Sequence, residues 1–62
     1  MTILCIEDKT KSHFLQRAVN ETTRDFEMMN LKRHLEKAKV SPKLYRYLDI
    51  ETACIKEIEV EL

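Results

Sequence analysis

Sixty-two residues, 44% apolar and 35% charged, make one small domain with a modest core. Eleven Lys and Arg balance eleven Asp and Glu, and zero net charge excludes a polycation built for phosphate backbones. No apolar run approaches the ~20 residues of a membrane span. The first residues lack the basic-then-apolar order of a signal peptide, so the sequence predicts a cytoplasmic protein with no membrane role.

Residues 2–6 (TILCI) are β-branched and apolar on both faces, which predicts a strand covered on both sides. Asp8 and Thr10 follow as turn and cap residues. Phe14, Leu15, Ala18 and Val19 fall at helical spacing and predict a helix over 11–20. In NETTRDFEMMN the pattern divides. Met28, Leu31, Leu35 and Ala38 define one helical stripe, and Phe26 points to the opposite side. Either a helix from 23 buries two faces, or it begins at Asn30, a good N-cap. The sequence thus predicts a helix over 30–39 and leaves 23–29 open between helix and strand.

Ser41 and Pro42 are an N-cap and a first helical residue, predicting a helix over 42–49. At the C-terminus Ile58, Val60 and Leu62 alternate with Glu57, Glu59 and Glu61, the period of a half-buried strand. A competing helix through 44, 48, 51, 55 and 58 is broken by Glu51. Glycine is absent and Pro42 is the single proline, which argues against tight hairpins. The expected fold is α+β: a small, mainly helical domain over 1–62, with helices at 11–20, 30–39 and 42–49 and short terminal strands. The alternative is an all-α helical hairpin that dimerises. A chain this short buries only about 60% of its unfolded surface, so a homodimer is expected in either case.

Charge is segregated. Residues 32–46 carry a balance of +5, from Lys32, Arg33, Lys37, Lys39, Lys43 and Arg46 against Glu36. Residues 49–62 carry −4. A basic middle and an acidic tail can pair with each other, with a second subunit or with outside partners.

Three motifs bear on function. The run ILCIED, with Glu7 and Asp8 after an apolar strand and Asp49 in YRYLDIE, resembles the start of a phosphoacceptor receiver domain. That resemblance covers 3–20 and 44–50, and implies a divalent cation at the acidic pair and a phosphoacceptor at Asp49. The later strands of a receiver, with their hydroxyl and lysine, have no counterpart, so the receiver reading is set aside. LKRHLEKAKVSPKLYRYLDI resembles a DNA-binding helix-turn-helix. The resemblance implies base contacts from Ser41, Lys43 and Tyr45, with Lys32, Arg33, Lys37, Lys39 and Arg46 near phosphates. Lys39 stands where the turn of that motif commonly wants glycine, Leu35 replaces its usual small residue, and the second helix is short for it. Cys5, His13, His34 and Cys54 lack the close pairing of zinc ligands, so no metal or cofactor is expected.

A chain of this size has little room for a pocket beside its core, and neither catalysis nor a small-molecule substrate is expected. Tyr45 beside Arg46 and Lys43 forms the kind of aromatic–cation patch found at protein contacts. The sequence therefore predicts a non-enzymatic small regulator or adaptor that binds a protein partner through Lys43, Tyr45 and Arg46. A small DNA-binding transcriptional regulator using 31–50 is the alternative.

Overall fold

The computed structural model describes residues 1–61. Strand β1 (Thr2–Glu7), strand β2 (His13–Val19), helix α1 (Arg24–Val40), a 3-10 turn (Pro42–Tyr45) and strand β3 (Cys54–Glu59) follow in chain order. The strands form one antiparallel sheet ordered β2-β1-β3, with the N-terminal strand at its centre. A strand forms at each end as expected, β1 over Thr2–Glu7 and β3 over Cys54–Glu59, and Leu62 of the expected C-terminal alternation lies outside the described residues. The mainly helical architecture does not hold, and neither does the all-α hairpin: one helix packs on a three-stranded sheet.

The error at 11–20 has a specific cause. Leu4 pairs with Arg17 and Ile6 with Phe14, so two β2 residues, Leu15 and Gln16, stand opposite Cys5 alone. Leu15 sits at the bulge with φ 55, a left-handed conformation for a leucine. Phe14 and Leu15 consequently both pack toward the core, and consecutive apolar residues on one side imitate helical spacing. The preceding connection needs no glycine either. Lys11 takes φ 66, and its N–H donates to the Asp8 carbonyl at 3.0 Å. The Asp8 Oδ1 accepts from the Thr10 N–H at 2.9 Å.

The expected helix at 30–39 extends to 24–40, because Asn20 rather than Asn30 organises its start. Asn20 Oδ1 accepts from the N–H groups of Thr22 and Thr23 at 2.8 and 3.0 Å, and its carbonyl takes the Arg24 N–H at 2.9 Å. Asp25 and Glu27 in the first turn and Lys37 and Lys39 in the last suit the helix dipole. The helix expected at 42–49 is a single 3-10 turn. The Leu48 N–H bonds back to Tyr45, and the next N–H, that of Asp49, is taken by Asp8 Oδ2 at 3.0 Å. A tertiary bond thus replaces the one that would continue the helix.

The core lies between the sheet and α1. Leu4, Ile6 and Val19 meet Leu31 and Ala38, with Tyr45 and Leu48 closing one end. Each fully buried leucine or isoleucine here contributes about 1.5–3 kcal/mol of transfer free energy. Cys5 points to the other face of the sheet yet is also fully buried, its Sγ 3.8 Å from the Lys56 carbonyl oxygen. That face has no helix over it. Its register brings Ile3 beside Ala18 and Ile58, and Glu7 beside His13.

Candidate functional site

Helix α1 carries apolar residues on two opposite sides. Met28, Leu31, Leu35 and Ala38 face the sheet. Phe26, Met29 and Val40 lie on the far side with Arg33 and Lys37, at the i, i+3, i+7, i+11 and i+14 spacing that keeps them on one stripe. Phe26 is 64% exposed, Met29 54% and Val40 80%. Arg33 Nη2 lies 3.8 Å from Met29 Sδ, so the cation is laid along the stripe. Beyond Val40 the chain turns into the 3-10 segment, where Leu44 is exposed between Lys43 and Arg46, themselves exposed.

The acidic strand does not cover this surface. Glu57 receives Arg24 in a fork, at 3.0 and 3.1 Å, and Glu59 receives the Thr2 hydroxyl at 2.6 Å. The Arg24 guanidinium holds the Glu57 carboxyl below its usual range, and the Thr2 hydroxyl does the same for Glu59. Lys32, Arg33, Lys37, Lys39, Lys43 and Arg46 enter no ion pair among the described residues.

The residues named for DNA or partner contact are divided by this geometry. Lys32, Arg33, Lys37 and Lys39 are exposed on α1, and Lys43 and Arg46 follow in and just after the 3-10 turn. Ser41 is half-buried and gives its N–H to the Lys37 carbonyl at 2.8 Å. Tyr45 is buried at 8% exposure, its hydroxyl 2.8 Å from His34 Nδ1. It anchors the 3-10 turn to the helix. Its neighbour Tyr47 is exposed and packs its ring 5.3 Å from that of Phe14. The second helix of a helix-turn-helix is missing among the described residues, so there is no element to lie in a major groove as that motif requires. Sequence reasoning passed over Phe26, Met29 and Val40 as a surface. The signal was there, since two apolar stripes half a turn apart cannot both face one sheet.

The other titratable groups that come together are hydrogen-bonded to one another or to the backbone. Asp8 and Asp49 do meet at one end of the sheet, but as a scaffold. Asp8 accepts from the Asp49 N–H and from Thr10, while Asp49 Oδ2 takes the Thr52 hydroxyl at 2.7 Å. The Asp49 N–H first and Thr10 second hold the Asp8 carboxyl below the usual aspartate range. His13 Nε2 sits 2.7 Å from Glu7 Oε2, and that hydrogen bond lowers the Glu7 carboxyl. Burial pushes the Cys5 thiol up, away from a nucleophilic thiolate. No group of three His, Cys, Asp or Glu is placed to hold a metal among the described residues.

A surface cleft of about 380 Å³ opens beside the first turn of α1, between Thr2, Asn20, Arg24 and Glu59. The charged groups of Arg24 and Glu59 are already engaged. No helix among the described residues is long and apolar enough to cross a membrane. No family model, curated protein or solved structure matches the chain.

Proposed function

We propose that the protein is a small non-enzymatic regulator or adaptor of the cytoplasm that binds a protein partner through the outer face of α1. The partner's contribution is an amphipathic segment carrying both apolar and acidic residues. One observation carries this reading: a solvent-exposed stripe of Phe26, Met29 and Val40 interleaved with Arg33 and Lys37, whose charges enter no ion pair among the described residues. Apolar residues of the partner would remove Phe26 and Met29 from water, and its carboxylates would set orientation and encounter rate. Lys43 and Arg46 extend the basic surface past Val40.

The charges that invite an acidic partner oppose self-packing of the same stripe. An antiparallel helix pair centred on it sets Arg33 against its own copy or against Lys37. A homodimer, expected from the size of the chain, has the uncovered sheet face around Ile3, Ala18 and Ile58 as its contact instead. DNA binding draws on the same unpaired cations. Against it stand Phe26 and Met29 within the stripe and Asp25 and Glu36 on its flank, which a phosphate backbone does not favour.

Fluorescence anisotropy with two labelled probes, at low and near-physiological salt, tests the proposal. One probe is a helical peptide with a leucine stripe and glutamate flanks, the other a random duplex. The peptide should bind wild type and fail to bind a Phe26→Ser/Arg33→Glu variant. Binding of the duplex alone, lost in a Lys43→Glu/Arg46→Glu variant, would overturn the proposal in favour of nucleic acid. Binding of neither probe would leave the stripe without the role claimed for it.

A further inference from the structure

The two edges of the sheet differ, and the difference points to a second interaction surface. β2 is bent by its bulge and by the left-handed Leu15, a shape that resists pairing with another strand. β3 pairs with β1 through six consecutive positions, from Thr2 opposite Glu59 to Glu7 opposite Cys54, with no shift. Its other edge borders no strand among the described residues.

The bond pattern identifies which groups lie on that edge. The Val60 N–H donates to the Met1 carbonyl at 2.7 Å, and the Met1 amino group donates to the Val60 carbonyl at 2.8 Å. Antiparallel strands alternate between hydrogen-bonded and non-hydrogen-bonded pairs. Ile58, Lys56 and Cys54 therefore direct their backbone groups to β1, while Ile55, Glu57 and Glu59 direct theirs outward. Among the described residues these outward groups make no hydrogen bond to a turn, loop or side chain.

We infer that the free edge of β3 accepts an extended segment of a protein partner as a fourth strand, and that this segment carries Lys or Arg at alternate positions. A strand bonded to Ile55, Glu57 and Glu59 places side chains beside theirs on the helix-facing side. Glu57 and Glu59 there already hold Arg24 and the Thr2 hydroxyl with the Met1 amino group, yet at 47% and 69% side-chain exposure they keep carboxylate lone pairs open to a partner's cations, and Ile55 favours an apolar neighbour. Backbone bonding supplies affinity, and the alternate charges supply register.

The same glutamates turn away a second copy. In a two-fold antiparallel pairing of β3 with itself, paired residues must share a face, so their numbers sum to an even value. Over Cys54–Glu59 the two registers with the longest overlap set Lys56 against Lys56 and Glu57 against Glu57, and one of the shorter ones sets Glu57 against Glu59. Like charges directly opposite are destabilising. The edge is thus guarded against its own copy and open to a cationic strand.

Amide hydrogen exchange of the full chain with a short peptide alternating Lys and Val tests the inference. At saturation the Ile55, Glu57 and Glu59 amides should slow by at least about tenfold, with β2 amides unchanged. A Glu57→Lys/Glu59→Lys variant should reverse the preference, toward a peptide alternating Glu and Val. A Glu57→Pro variant should lose the protection at Ile55 and Glu59 where a Glu57→Gln variant keeps it, since proline removes the outward N–H as well as the carboxylate that holds Arg24, and glutamine removes the charge alone. Protection confined to β2 or α1, no protection, or slowing that follows protein concentration without peptide would each overturn the inference. Because the readout is residue by residue, failure here is distinct from failure of the α1 surface.

Discussion

Leu15 and Asp8 fix the hairpin between β1 and β2 by different means. A left-handed backbone costs an ordinary L-residue roughly 1–2 kcal/mol, and Leu15 offsets that cost by packing half-buried against the core. Leu15→Gly removes both the strain and the packing, so its stability by urea unfolding should lie within about 1 kcal/mol of wild type. Ile6→Ala, which removes only packing, should cost about 2–5 kcal/mol. Equal losses in the two variants would show that the bulge stores no strain. For Asp8 the expected effect is a pH dependence. Its folded-state pKa is depressed, so its stabilisation is complete above the unfolded value of about 3.9 and is lost as pH falls through the folded value. Glu7, Glu57 and Glu59, lowered in the same direction, add to the loss in acid. Asp8→Asn should unfold at lower urea than wild type at neutral pH and show a flatter decline on acidification. An acid decline parallel to that of wild type would remove Asp8 from the account.

At the scale of elements, the two sides of α1 should respond oppositely to substitution. Leu31→Ala on the sheet side should cost about 2–5 kcal/mol, and Phe26→Ser on the outer side should stay within about 0.5 kcal/mol, both from chemical unfolding. A large loss from Phe26→Ser would mean that its ring supports the fold and is not free for a partner. This two-sidedness also explains how far the sequence could be read. β1 and β3 were legible because TILCI is apolar on both faces and EIEVEL alternates. β2 was not, because one extra residue at the bulge put Phe14 and Leu15 on the same side and cancelled the alternation. The start of α1 was left open between 23 and 30 because Phe26 on the outer side broke the single stripe expected of a helix on a sheet. The helix at 42–49 was overextended because the bond that ends it comes from Asp8, distant in sequence, and no local propensity reports such a partner. The basic segment was found as charge, but the apolar residues that make it a surface became visible only once α1 was known to begin at Arg24.

Over the whole molecule, the buried core and the exposed surfaces proposed for partners occupy different places. β1 is buried on both faces at Leu4, Cys5 and Ile6, while the outer stripe of α1 and the free edge of β3 are exposed. Native-state hydrogen exchange without any partner should therefore find the slowest amides in β1 and the fastest, among strand residues, at the outward positions of β3. Uniform protection across the three strands would contradict this arrangement. The charge segregation seen in the sequence becomes two separate surfaces, basic on α1 and acidic on β3, linked by the ion pair of Arg24 and Glu57. The most direct test of the central claim is amide chemical-shift mapping of the full chain, titrated with the acidic amphipathic peptide. The account predicts shifts at Phe26, Met29, Arg33, Lys37 and Val40 that continue into Lys43, Leu44 and Arg46. Shifts confined to the sheet, or shifts on α1 produced by the random duplex and not by the peptide, would contradict it.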